Sequence, residues 1–377
     1  MRTAARWAVV VLALLHGLVH LLGTAKGLGW APVPELHEPT TIAGGLLWLL
    51  PTVLIVTAAV MLAVRARGWW VVMGTAALVS QAVIVTAWTD AKAGTVANIV
   101  LAVAAAYGYA SQGPRSPRAD YRRRADAALA RQTPSHLVNA ADLAGLPAPL
   151  AGYLRRCGAI GQSRVASFHA RIHGRIRSDA GSLWMPFTGE QVNTYGPSPR
   201  RLFLLDATMH GLPVDVLHVF EDHATMRVTL CSVVPIVDAA GPDMDRAETV
   251  TLLNDLCVLA PAALVDAPVT WAGIDDHRVR GTFTHGAQTV SAELVFGDDN
   301  ELVDFVSHDR LRASADGKSF TPQTWSTPIR AYRDIGPRRV AVSGEGRWHA
   351  PAPEGVFSYL EFELDDITYH PSRPGDN

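Results

Sequence analysis

The sequence predicts a membrane α-helical bundle of four spans followed by an α+β C-terminal domain. The second part reads as a large curved antiparallel sheet, a half-barrel, with one helix packed on its concave face. Three observations carry this expectation. The chain of 377 residues is 49% hydrophobic, and the excess sits before residue 111 in four apolar runs of about the 20 residues that a bilayer requires. From about residue 162 onward, period-2 alternation takes over. Between two groups of such strands lies one helical pattern, "DMDRAETVTLLNDLCVLAPAALV" at 243–265. The implied organisation is a four-helix transmembrane domain over 1–112, a basic juxtamembrane linker with short helices over 113–161, and an antiparallel β-rich domain over 162–372.

The four spans run from about Trp7 to Thr24, Thr41 to Val64, Trp69 to Trp88 and Ala93 to Ser111. The first reads as a span, since no small-residue cleavage site and soluble stretch precede the second. Lys and Arg set the expected orientation. Arg2 and Arg6 precede the first span, and Arg65 and Arg67 lie between the second and third. "PRSPRADYRRRADAALAR" then brings Arg115, Arg118, Arg122, Arg123, Arg124 and Arg131, whereas the opposite loops carry Glu35, Glu38 and a single Lys92. A multi-pass plasma-membrane protein with both termini cytoplasmic is expected. Its arginine run would lie on anionic membrane lipids, at about 1 kcal/mol per residue. Trp30, Trp69, Trp70 and Trp88 fall near span ends and read as an interfacial belt.

"LLHGLVHLLG" at 14–23 places His16 and His20 on one helix face inside the first span. Ionisable groups in a bilayer are usually there for a reason. Three readings stay open: hydrogen bonds to Gln81, Thr86, Asp90 or Asn98 on neighbouring helices, proton or quinone chemistry, and metal or haem ligation. Spans two to four hold no further histidine, so a ligand set would be incomplete and no cofactor is expected. Asp90 and Asn98 form a second polar group around "WTDAKAGTVANIVLAV", where Gly94, Ala97, Ala102 and Ala105 suit close helix packing.

In the C-terminal half, "VASFHARIHGRIRS" puts Phe168, Ala170, Ile172 and Ile176 on one face. His169, His173 and three arginines share the other, a solvated strand face. "HRVRGTFTHGAQTVSAELVFGDDNELVDFVSHDRLRA" is a meander with turns at "HGAQ" and "GDDN". Its apolar face comprises Val279, Phe283, Val290, Ala292, Leu294 and Phe296. About ten or eleven strands are expected in all. The helix would be capped by Asp243 or Asp245, and a stripe of Val250, Leu253, Leu256 and Cys257 would face the sheet. Such a helix either plugs a core or roofs an apolar pocket. Candidate pocket residues are Trp184, Phe187, Glu190, Gln191, Asn193, Asp238, Glu248, Asn254, Trp271, Tyr332 and Trp348. "GEQVNTY" at 189–195 is the leading stretch, because it is polar on both strand faces.

Several ordered motifs resemble a bacterial family known only as a domain of unknown function. They are "LPAPLAGYLRRCGAIGQSRVASFHARIHGRIR", "WMPFTGEQVNTY", "SVVPIVDAAGPDMDRAETVTLLNDLCVLAPAALV" and "VTWAGIDDHRVRGTF". The resemblance covers about residues 140–370, commonly follows membrane spans in that family, and implies no activity. "TPIRAYRDIGPRRVAVSGEGRWH" is similar to a strand pair of LolA-like lipoprotein-carrier half-barrels, which hold acyl chains, although Pro337 here directly follows Gly336. The membrane half resembles DoxX-type four-helix proteins in architecture.

Function classes narrow accordingly. A net charge of −2 and a basic run without interleaved aromatics beyond Tyr121 argue against a nucleic-acid partner. No GxSxG, HExxH, phosphate-loop or CxxC pattern occurs. "DAAGPDMD" lacks the order of a calcium loop, and no metal site is expected. Cys157, Cys231 and Cys257 are read as reduced, buried thiols. The expected function is a membrane-anchored module that binds a lipid-like or other hydrophobic small molecule at the cytoplasmic face. The alternatives are redox or proton handling through His16 and His20, and a scaffold for a protein partner that the sequence does not identify.

Overall fold

The computed structural model describes residues 3–130, 136–196 and 198–371. Arg2 and Arg131 of the orientation argument lie outside them. The chain divides into two compact units, Met1–Asp120 with Cys231–Val233, and Tyr121–Leu230 with Val234–Asn377.

In the first unit, the apolar runs form α1 (Thr3–Gly27), α2 (Ile42–Ala63), α3 (Trp69–Thr86) and α5 (Gly94–Gln112), with a single turn α4 (Trp88–Ala91) before the last. All four long helices are long and apolar enough to cross a membrane. Their buried seams are built from small and medium side chains such as Ala13, Ile55, Ala58, Ala59, Met73, Ala76 and Leu101. Leu15, Leu18, Val53, Leu78, Val96 and Val103 face outward and are exposed, the distribution a lipid-facing bundle shows. Trp69 departs from the belt expectation, being only 2% exposed. Gly108 on α5 leaves space for its ring and for Trp70.

Close approach of α1 and α2 depends on missing Cβ atoms. One added at Gly23 would lie 2.3 Å from the Trp48 ring, and one at Gly27 would lie 2.5 Å from the Gly45 Cα. Overpacking of this kind costs about 1–3 kcal/mol where side chains can yield. Gly23→Leu is therefore expected to lower the melting temperature of the purified full-length protein. Gly74→Ala, whose added Cβ would meet only the Ala105 Cβ at 3.6 Å, is the milder comparison.

The second unit begins with α6 (Pro117–Leu129) from Tyr121 on, then α7 (Ala148–Arg156). Six strands follow: β1 (Val165–Ile176), β2 (Met185–Thr194), β3 (Arg200–Met209), β4 (Leu212–Phe220), β5 (Ala224–Leu230) and β6 (Val234–Ala240). After α8 (Pro242–Val258) come β7 (Val269–Gly273), β8 (Arg278–His285), β9 (Gln288–Phe296), β10 (Leu302–Ser307), β11 (Leu311–Ala313) and β12 (Phe320–Pro322). The set ends with β13 (Thr324–Ser326), β14 (Ile329–Ile335), β15 (Arg338–His349) and β16 (Val356–Pro371). Among the described residues, fourteen strands join one sheet in the order β6-β5-β4-β3-β2-β1-β16-β15-β13-β10-β9-β8-β7, with β14 also on β15 and β11–β12 forming a separate hairpin. The ladders are antiparallel throughout. The sheet is unclosed, with β6 and β7 as its free edges. There are more strands than the alternation suggested, because short pieces such as β11–β13 are too brief to show a period.

Alternation placed the strand faces where they are found. Phe168, Ala170 and Ile172 are buried, as are Val279, Phe283, Val290, Ala292, Leu294 and Phe296. His173 on the opposite face pairs with Asp365 at 2.8 Å. In β3, Leu202 and Leu204 bury on one face while Phe203 and Leu205 bury on the other. The reason is α6, whose Tyr121, Ala125 and Ala128 share one helix side and pack on Val192, Leu202, Leu204, Leu217 and Val219.

Helix α8 differs from its expected form. It packs against β5 and β6 on one arm of the sheet and against β8, β9 and β10 on the other. It therefore bridges the curve. Buried residues run all round it, including Glu248, Thr251, Asn254 and Asp255 beside Val250, Leu253 and Leu256. A single apolar stripe cannot describe a helix enclosed on every side. Nor does Asp243 or Asp245 cap it. Gly241 holds the N-cap position, and Asp245 accepts from the Ala224 amide and pairs with His223. Cys157 and Cys257 are buried and free, but Cys231 is half-exposed in the β5–β6 turn, correcting the expectation for that thiol. Burial pushes the Cys157 thiol up to about 12.

Candidate functional site

On β2 the residues alternate between the two sheet faces. Phe187, Gln191 and Asn193 point to the concave side, whereas Glu190 shares the opposite side with Val192. Arg201 lies directly across from Asn193 in the β2–β3 register and joins the concave set. Above them, Glu248 and Asp255 of α8 are seven residues apart and share a helix face. Asp255 Oδ2 accepts three hydrogen bonds, from Gln191 Nε2 at 2.6 Å, Arg201 Nε at 2.7 Å and Asn193 Nδ2 at 3.0 Å. Arg201 Nη1 donates to Glu248 Oε2 at 3.0 Å. One guanidinium thus ties both carboxylates of the helix to the sheet.

The electrostatics follow from enclosure. Burial alone would favour neutral Glu248, but Arg201 and its other positive neighbours outweigh it and hold the carboxyl below its usual range. For Arg201, burial is likewise overcome by Asp255 and Glu248, which keep it charged. His218 Nδ1 lies 3.8 Å from Glu248 Oε1, and desolvation brings its pKa down to about 4. The Arg310 guanidinium lies 3.7 Å from that same oxygen and donates to the Ala247 carbonyl. The buried charges are paired, as low-dielectric surroundings require.

The remaining sequence candidates disperse. Asn254 leaves the network and donates to Thr327 Oγ1 at 3.0 Å. Phe187 is ordinary core. Trp184 stands outside, with the guanidinium carbons of Arg175 and Arg177 at 4.5 and 4.4 Å from its ring. Asp238 is exposed on edge strand β6. Trp271 lies over Gly281 on edge strand β7. Tyr332 donates to the Leu302 carbonyl at 2.9 Å, and Trp348 is buried beside Tyr359. Of these candidates the structure brings together Gln191, Asn193 and Glu248, in a hydrogen-bonded network. Trp184, Glu190 and Asp238 are not part of it, because strand alternation and chain position turn them elsewhere.

Arg201, Asp255, His218 and Arg310 were missed. Each stands in a stretch that reads locally as strand or helix surface. The usable signal was Arg201 beside Leu202–Leu205, a run of β3 that is apolar on both faces.

Side chains and α8 fill the concave space. A shallow cleft of ≈ 200 Å³, open solvent included, is lined by Cys157, Val165, Ala260–Ala262, Arg338–Val340 and Tyr369.

Asp304 on β10 is half-buried, with Arg347 and Glu345 as its charged neighbours, and desolvation raises its pKa to about 6. Its unfolded value is about 4. The folded state therefore binds this proton more tightly. The associated stability is complete below about pH 4 and is lost as pH rises through about 6. Asp304→Asn, which can still accept from the Phe305 amide as Asp304 does, is expected to stabilise the protein at pH 7.5. The gain should be about 1–2 kcal/mol after solvent screening, and thermal unfolding at pH 4 and 7.5 should show it vanish at the lower pH.

In the helical unit, His16 Nε2 lies 3.0 Å from Asn98 Oδ1 and 3.2 Å from Ser80 Oγ. His20 Nε2 lies 2.8 Å from the same hydroxyl. Asn98 in turn donates to Gln81, which donates to Thr95. Of the neighbours expected for the histidines, Asn98 touches His16, and Gln81 is reached through Asn98. Thr86 instead donates to the Val83 carbonyl. Asp90 lies at the bundle end, accepting from the His37 and Glu38 amides at 2.6 and 3.0 Å. Those bonds, led by the Glu38 amide, hold the Asp90 carboxyl below its usual range.

These features define a class of protein: a bundle of membrane-length helices joined to an open antiparallel half-barrel that is plugged by a polar-latched helix. The chain belongs to DUF6544, a family of unknown function, which matches residues 136–362. Among solved structures it is similar to a putative outer membrane lipoprotein-sorting protein domain from Vibrio parahaemolyticus, with 10% identity over 54% of this chain and 86% of that one, at a TM-score of 0.32. It is also similar to a DUF1329 family protein from Desulfovibrio piger ATCC 29098, with 11% identity over 59% and 92% of the two chains, at a TM-score of 0.35. No match is found among curated proteins.

Proposed function

We propose that this chain is a membrane-anchored binding module whose half-barrel takes up a lipid-like hydrophobic molecule when α8 moves out. The observation that carries the reading is the way α8 is held. It occupies the concave space yet is fixed there through Arg201, Gln191 and Asn193 on the sheet and Glu248 and Asp255 on the helix. A buried ion pair is weak evidence for stability and is better suited to specifying one arrangement. Beneath the helix the sheet offers Phe168, Phe203, Leu205, Phe283 and Leu294, all buried. A departing helix would leave an apolar trough, and an acyl or isoprenoid chain would re-cover it at about 25 cal/mol per Å². The arginines after the fourth membrane-length helix favour the cytoplasmic leaflet as the ligand source.

The test uses full-length protein in lipid nanodiscs, with an environment-sensitive fatty-acyl probe and native mass spectrometry. Wild type should take up the probe slowly and Arg201→Met faster. Probe signal equal to a protein-free nanodisc for both proteins, with no organic molecule retained, would remove the reading.

A further inference from the structure

The helical unit contains a polar site that its own side chains do not complete. His20 is 1% exposed and Thr24 0%. They are four residues apart and so lie on one face of α1. His16 Nε2 must be the protonated nitrogen of its ring, because Asn98 Oδ1 accepts from it while Asn98 Nδ2 donates to Gln81. Ser80 Oγ then serves both rings, leaving His20 Nε2 satisfied. Among the described residues, His20 Nδ1 has no partner in either tautomer, and neither does Thr24 Oγ1. A buried polar atom left unpaired costs about 1–3 kcal/mol, so two on one helix face call for a ligand.

The surroundings restrict its chemistry. Trp48 lies against His20 at 5.2 Å between ring centres, and Ser80 and Asn98 are neutral. Among the described residues, no three metal-ligating side chains come together. The nearby ammonium of Lys26 is engaged by the Leu36 carbonyl. An ion would stand uncompensated there. The segment 28–41 that follows α1 is pinned by Asp90 through the His37 amide, the His37 ring and the Glu38 amide.

We propose that His20 Nδ1 and Thr24 Oγ1 hold one small neutral oxygen-bearing ligand on the buried face of α1. The oxygen could come from bulk water or from a membrane-soluble alcohol or carbonyl compound; the chemistry at the site is the same. This proposal is independent of ligand uptake by the half-barrel.

Full-length protein in nanodiscs tests it through Thr24→Val, which keeps the shape and removes the hydroxyl. With the ligand in place, this variant loses a hydrogen bond and its melting temperature shifts down by a few degrees, while Thr24→Ser stays near wild type. If the site is dry, Thr24→Val removes an unsatisfied group and the melting temperature is unchanged or rises, which overturns the proposal. Nitrogen-15 histidine NMR on wild type decides if Thr24→Val fails to assemble. Magnetisation transfer from water to the His20 ring supports a water ligand. An organic molecule extracted in equal stoichiometry, and lost from Thr24→Ala, supports the membrane source. Neither signal in wild type overturns the site.

Discussion

Arg201→Met is expected to destabilise the β-rich unit by about 3–5 kcal/mol, because it leaves Glu248 and Asp255 enclosed without their cation. In thermal unfolding of the full-length protein this should appear as a fall of roughly 10 °C. The apolar triple variant Arg201→Met, Glu248→Leu, Asp255→Leu removes the charges together and should recover most of the loss. Recovery will be incomplete, since Gln191 and Asn193 both donate to Asp255 and would be left without it. A single variant that melts within about 2 °C of wild type would mean that water reaches the carboxylates and the latch is not sealed.

Phe168→Ala should be comparably severe, at about 3–5 kcal/mol. Phe168 is 0% exposed on the concave face of β1, with its ring 6.3 Å from that of Tyr195. Phe168→Leu should cost less, since most of the volume remains. The alanine cavity would be apolar and dry, so a small apolar molecule such as benzene should partly restore the melting temperature. Restoration in Phe168→Ala but not in wild type separates a created cavity from a pre-existing one. Equal stabilisation of both would place open apolar space already at the concave face, contrary to the filled interior described above.

Strand faces were legible because the signal is local. Phe168, Ala170 and Ile172 bury because successive side chains alternate across a strand, whatever lies opposite. The same locality accounts for the four membrane-length helices, whose composition is their own evidence. It also accounts for GEQVNTY, which is polar on both strand faces through Glu190 on one and Gln191 and Asn193 on the other. The partner of Gln191 and Asn193 was not legible. Asp255 reads as an ordinary helix residue, and Arg201 as a charge at the start of a strand.

What the sequence by itself determined is the division into apolar helices and an alternating antiparallel sheet with one helix between its arms, since both periods are fixed by backbone geometry. Only the tertiary structure decided that this helix is enclosed on every side and latched by Arg201, and that His20 and Thr24 are buried with polar atoms unmet. The reason is physical: strand and helix periods repeat within a few residues. A buried charge is tolerable only where the fold brings its counterion, here from positions 191, 193, 201, 248 and 255 at once.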